Sequence, residues 1–208
     1  KIFHPGPTPG KLPPEGAPYP IIIFCSGASG SDPAYYNAMD WLGTYYAQRG
    51  DAAKAEMEIK AAIALDPRFM PAYVNLADLY RASNREAEGE GILRDGLKVA
   101  PKSAMLHHGL GLALVRLKRT DAALGELELA TMLEPANPRF AYVYAVALHS
   151  TGKVAAAIAR LEKAYLAHPN DRDIVQALAS FHQARGESAA AKKYADRLRA
   201  LATNDQQP

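Results

Sequence analysis

A period of 34 residues runs through this chain and limits its fold more than any other feature. Pro67, Pro101, Pro135 and Pro169 stand at that interval, each closing an apolar stretch: IALDP, LKVAP, TMLEP and YLAHP. Windows opened at Tyr36, Met70, Ala104, Pro138 and Arg172 align without an insertion. A fixed period of this length marks a stacked array, in which each unit buries its apolar side against its neighbours. Such an array presents extended surface for binding rather than a walled cavity for catalysis.

Inside each window the apolar positions follow helical spacing, and a short polar turn separates two helical stretches. The unit is therefore a helical hairpin with helices A and B. In the first window Leu42, Gly43 and Tyr46 share a face of helix A, Gly50-Asp51 turns the chain, and Ala55, Ile59 and Ala62 line helix B. Small residues recur where the helices must approach closely. Ala55, Gly89, Ala123, Ala157 and Ala191 share one position, and Ala62, Gly96, Ala130 and Ala164 another. A larger side chain there would force the helices apart.

At these residues the chain resembles the tetratricopeptide repeat family, whose 34-residue pattern is W-x2-L-G-x2-Y, then A-x3-F, A and P. The resemblance covers about residues 36 to 203. It implies an all-α, right-handed solenoid of five hairpins: 36–69, 70–103, 104–137, 138–171 and 172–203, with a tail at 204–208. Departures occur at the first aromatic position, held by Met39, Tyr73, His107, Ala141 and Val175, and at the turn glycine, replaced by Asn84 and Lys118. A narrower similarity links NLADLYR from Asn75, HHGLGLALVR from His107 and FAYVYAVALHSTGK from Phe140 to repeat regions appended to bacterial multihaem c-type cytochromes. It implies an extracytoplasmic bacterial address, although a cytoplasmic one also fits the sequence. No C-x-x-C-H occurs, and Cys25 stands alone, so neither haem nor any other cofactor is expected.

The balance of charge excludes some partners. With 24 basic and 22 acidic residues the net charge is +2, and the basic residues are scattered, so nucleic acid is not expected. The longest apolar run, Ile21 to Cys25, falls far short of the roughly 20 residues of a membrane span. One cysteine precludes an internal disulfide. The start at Lys1 fits a processed precursor as well as a truncated chain.

Residues 1–35 depart from the array. Pro5, Pro7, Pro9, Pro13, Pro14, Pro18 and Pro20 oppose helix and favour extended backbone. Ile21, Ile22, Ile23 and Phe24 then read as a short strand without a partner in an all-helical array. This arm is expected to dock in a groove, of its own array or of a neighbouring copy, and the second case gives head-to-tail association. The end of the last helix B, with Ala189, Ala190, Tyr194, Leu198 and Leu201, is read as partly open to stacking. PYPIIIFCSGASGS also resembles the first strand and oxyanion loop of α/β-hydrolases, a remote alternative. It lacks a G-x-S-x-G elbow and a sheet on which to mount a triad.

The tetratricopeptide resemblance also implies where a partner binds, because window positions 2, 5, 9 and 12 of helix A face the concave surface in that family. The candidate groove residues are Asp40 and Thr44; Val74, Asp78 and Arg81; Met105, His108, Leu112 and Val115; Arg139, Tyr142, Val146 and His149; and Gln176. Its middle is apolar and its ends polar, which suits an extended apolar segment of a protein or peptide. The two-carboxylate clamp of some co-chaperones is disfavoured, since its positions hold Asp40, Thr44, Asn75, Met105 and Gly109, and Asp40 repels a carboxylate. Histidines invite a metal reading. His107 and His108 point about 100° apart on a helix, and His149 and His182 have no evident third ligand, so no metal site is expected.

Overall fold

The computed structural model describes residues 33–204, and side chains within 36–203. Expectations placed on residues 1–32, including the strand at 21–24 and the hydrolase-like loop, lie outside the described residues, as does the tail from 205. Ten helices follow one another: α1 (Pro33–Gln48), α2 (Ala52–Leu65), α3 (Met70–Ala82), α4 (Glu86–Val99), α5 (Ala104–Arg116), α6 (Thr120–Leu133), α7 (Pro138–Ser150), α8 (Val154–Ala167), α9 (Arg172–Ala184) and α10 (Ser188–Asn204). Odd-numbered helices are the A helices and even-numbered ones the B helices of five hairpins. The described fold is all-helical, a solenoid of the tetratricopeptide type.

Local sequence explains where the helices begin and end. The side chains of Asp51, Ser103, Asn137 and Asp171 each accept a hydrogen bond from an amide in the first turn of the following helix. Pro71 and Pro138 occupy the first turns of α3 and α7, where no amide donor is missed. The B helices of the first four repeats are capped at their C-terminal ends by Asp66, Ala100, Glu134 and His168, one residue before each periodic proline. The first A helix begins at Pro33, ahead of the first sequence window.

The small-residue positions work as spacers. Ala55, Ala62, Ala123, Ala130 and Ala157 are fully buried. A Cβ added to Gly89 would stand 3.2 Å from the Ala77 carbonyl oxygen, inside its own hairpin. One on Gly96 would stand 3.0 Å from the Tyr73 ring and 2.9 Å from Leu106 of the next repeat. Large aliphatic residues Ile59, Leu93, Leu127 and Leu161 fill the neighbouring B-helix position at 0–1% exposure. Each contributes about 2 kcal/mol by burial.

Polar contacts fix the stacking register. Glu56 of α2 meets Arg85 at 2.7 Å, and Glu90 of α4 meets Arg119 at 2.7 Å, the same link one repeat on. At the third junction its members become Leu124, which joins the core, and Lys153. The link moves to Arg160 and Glu128, 2.7 Å apart. At the fourth, His182 takes over, with Nδ1 2.5 Å from Glu187 and Nε2 3.7 Å from Glu162.

Candidate functional site

The curvature follows from which helices touch. Among the A helices α1 and α3, α3 and α5, and α7 and α9 come into close contact, whereas no two B helices do. The A helices therefore crowd along the inner, concave side. Between α5 and α7 the approach is less close, and the gap is bridged by the His108 ring lying 4.7 Å from that of Phe140.

The candidate residues separate into three groups along this surface. At the first end, Asn75 Nδ2 donates to both oxygens of Asp40 at 2.9 Å, and the Thr44 hydroxyl donates to the Asp40 carbonyl at 3.0 Å. Burial pushes the Asp40 carboxyl above its ordinary range, and the Asn75 bond partly opposes this. Asp40 and Asn75 thus satisfy each other, and two positions of the co-chaperone clamp are consumed in a helix-to-helix link. Asp78 and Arg81 pair at 3.1 Å on the exposed side of α3.

In the middle, Met105, Val115 and Val146 are 42%, 43% and 40% exposed, and Val74, Leu112 and Tyr142 are half-buried. His108 sits among them. Its Nδ1 is shielded from solvent and meets no hydrogen-bond partner in the protein. Burial, assisted by the Arg139 charge, holds its ring down at about 4, so it is neutral at physiological pH. The Arg139 guanidinium lies 5.8 Å over Tyr142 and 3.9 Å from Asp173. The middle of the surface is thus an apolar strip flanked by a cation on an aromatic ring.

At the far end His149 stacks on Phe181 with centroids 3.9 Å apart, and Gln176 is exposed. The approach of His149 to His182 across the groove does not occur. His182 is turned into the core between Glu187 and the Tyr194 ring, 5.6 Å away, because its helix position belongs to the stacking face. His107 is also structural: Nε2 donates to the Pro101 carbonyl at 3.0 Å, and Nδ1 lies 2.6 Å from Glu126. Among the described residues no group of three His, Cys, Asp or Glu side chains is placed to hold a metal, and no helix is long and apolar enough to cross a membrane.

Sequence reasoning missed the Glu56–Arg85 and Glu90–Arg119 links, although both recur at 34 residues. It also missed the aromatic set Trp41, Tyr45 and Arg49 on α1, in which Trp41 and Tyr45 stack at 5.7 Å and Arg49 lies 4.9 Å over Tyr45. A scan for recurring charge pairs would have found the first, and a comparison of α1 with its equivalents the second.

Fold and groove together define the class: a helical-hairpin solenoid with an exposed, partly apolar inner face. The tetratricopeptide repeat family profile matches residues 46–113, which supports that family for the array. None of the curated proteins compared matches the chain. Among solved structures, PilF of Pseudomonas aeruginosa is similar at 23% identity and TM-score 0.71, covering 83% of this chain and 78% of that one. A crystal structure of MamA is similar at 20% identity and TM-score 0.67, covering 79% and 96%. YrrB, described as a TPR protein with an unusual peptide-binding site, is similar at 16% identity and TM-score 0.60, covering 78% and 84%. At these identities the likeness bears on the fold.

Proposed function

We propose that the protein is a non-catalytic scaffold whose concave face binds an extended, mainly apolar segment of another polypeptide. The observation that carries this is the exposure of Met105, Val115 and Val146 on A helices, beside Leu112, Tyr142 and a neutral His108. Apolar side chains left open along a curved inner face are the signature of an interaction surface. Asp78 and Arg81 at one end, and Arg139, His149 and Gln176 toward the other, set its direction through polar contacts. Peptide binding by a structural neighbour, as described for YrrB, is in keeping with this reading. The same proposal places the array outside the cytoplasm of a bacterium, as its resemblance to repeat regions beside multihaem cytochromes implies.

An arrayed set of synthetic peptides, with apolar side chains at every second position or with acidic residues there, tests the reading. The natural chain is expected to retain the apolar set, and the Tyr142→Asp/Val146→Asp variant to lose it. Equal retention by both proteins, or preference for the acidic set, contradicts the proposal.

A further inference from the structure

The B helices form the outer, convex side of the array, and on α6 that side is nearly free of charge. Among its exposed side chains only Asp121 is ionic. Ala122, Gly125, Leu129 and Met132 follow one another there at intervals of three, four and three residues, the spacing of a seam along which one helix packs on another. All four are exposed, Leu129 at 42% and Met132 at 66%. The glycines of this side do not act as spacers within the array, since nothing lies within 4 Å of a Cβ placed on Gly91 or Gly125. Glycine weakens a helix interior, and no contact among the described residues requires it at these two positions.

The order of sizes along the seam suits a second copy of the same chain. Small residues fill its first half and large ones its second, and the four positions are symmetric about Leu127. With α6 of another copy laid antiparallel, Met132 of each meets Ala122 of the other, and Leu129 meets Gly125, so that large side chains enter the spaces left by small ones. The neighbouring repeats obey the same rule. One repeat on, Leu166, 83% exposed, meets Ala156. One repeat back, Lys98 meets Glu88, both well exposed and of opposite charge. A parallel alignment sets Met132 on Met132 and Lys98 on Lys98, leaving the spaces at Gly125 unfilled and like charges face to face.

The size of the face sets the strength of the contact. Helices α4, α6 and α8 have 14 residues each, about 21 Å of length, and at a spacing of about 10 Å they present about 600 Å² on each copy. A pair then buries about 1,200 Å², the low end of what a specific association needs. We propose that the convex face centred on α6 pairs with the same face of a second copy, helices antiparallel, in a weak and concentration-dependent dimer. Such a contact is isologous and closes at two copies. It buries Met132 and Leu166 and turns both concave grooves outward, so a ligand carrying two suitable segments is held by both.

Sedimentation velocity of the full chain from about 5 μM to about 1 mM is expected to show monomer passing into dimer, with a dissociation constant in the micromolar range. Gly125→Glu/Met132→Glu places charge in the contact at positions that are open in the single molecule, so helicity by circular dichroism should be kept while the dimer weakens by about tenfold or more. Orientation is read by mild oxidation in a Cys25→Ser background. Ala122→Cys/Met132→Cys should yield disulfide-linked dimers, and either single variant should not, because the two positions lie about 15 Å apart along the helix. Monomer throughout the concentration range overturns the proposal. So does undiminished association of the Gly125→Glu/Met132→Glu variant, or linkage through Ala122→Cys alone, which requires parallel helices.

Discussion

Asn84 and Lys118 adopt φ of 58° and 59°, the left-handed conformation that Gly50, Gly152 and Gly186 take at 79°, 78° and 74° in the other turns. The turn geometry is thus kept at a cost, about 1 kcal/mol or more for Lys118 and less for Asn84. Lys118→Gly is expected to raise stability by about 1 kcal/mol in urea melts, and Asn84→Gly by less. His108 carries a second prediction. Neutral in the fold down to about 4, it takes up a proton near its ordinary 6.5 once unfolded. The unfolded state therefore binds more protons in between, and stability falls as pH drops from 6.5 toward 4. Urea midpoints at pH 7 and 5 should differ less in His108→Gln than in the natural chain. Glu56 acts in a lower window. Hydrogen bonds, first from Arg85 and then from Lys60, hold it down to about 2, so its contribution is complete above 4.5 and lost as pH falls toward 2. Some residue roles were hidden from the sequence. Tyr73 and His107 look like a kept and a lost aromatic, yet the Tyr73 hydroxyl and His107 Nε2 both donate to the carbonyl of the proline six residues back. Periodicity registers size and polarity, not which atom a side chain reaches.

Between helices the governing quantity is the spacing that small residues allow. Gly111 and Gly125 both lie inside helices, but a Cβ on Gly111 would stand 2.6 Å from Leu127 Cγ, while nothing lies within 4 Å of one on Gly125. Gly111→Ala should cost about 1 to 3 kcal/mol by overpacking the hairpin. Gly125→Ala should gain up to about 1 kcal/mol from helix propensity. Thermal melts of the pair check both signs. The hairpins, their register and their close-approach positions were legible because each repeat shows the same residue pattern again. The early start of α1 was not, since it belongs to no repeat. The junction ion pairs were not either, because they join different windows. The apolar middle of the groove could be read as a stripe on the A helices. That Asp40 and Asn75 spend their polar groups on each other could not, as it depends on two helices being side by side.

At the scale of the whole molecule the array has two exposed apolar surfaces with different meanings. One is the groove. The other is on the B helices, where Met132 and Leu166 share a repeat position and Leu166 is 83% exposed. The α10 end bears on assembly: Ala195 and Arg199 stand where Leu161 and Tyr165 stand one repeat earlier, and of the side chains read from the sequence as open to stacking Ala189 is exposed while the larger ones are turned inward. Tyr194 is buried, and Leu198 and Leu201 pack against the core of the last repeats. Ala195→Leu/Arg199→Leu should restore an internal junction face and shift the molecular mass by light scattering toward dimers or higher species. The proposed function requires the concave side to be the one that holds a partner. Photo-crosslinking tests this most directly, with a benzophenone side chain placed at Val146 in the groove or at Leu166 on the outer face, against a peptide retained by the natural chain. Adducts are expected from position 146 and none from position 166; adducts from position 166 alone would contradict the proposed function.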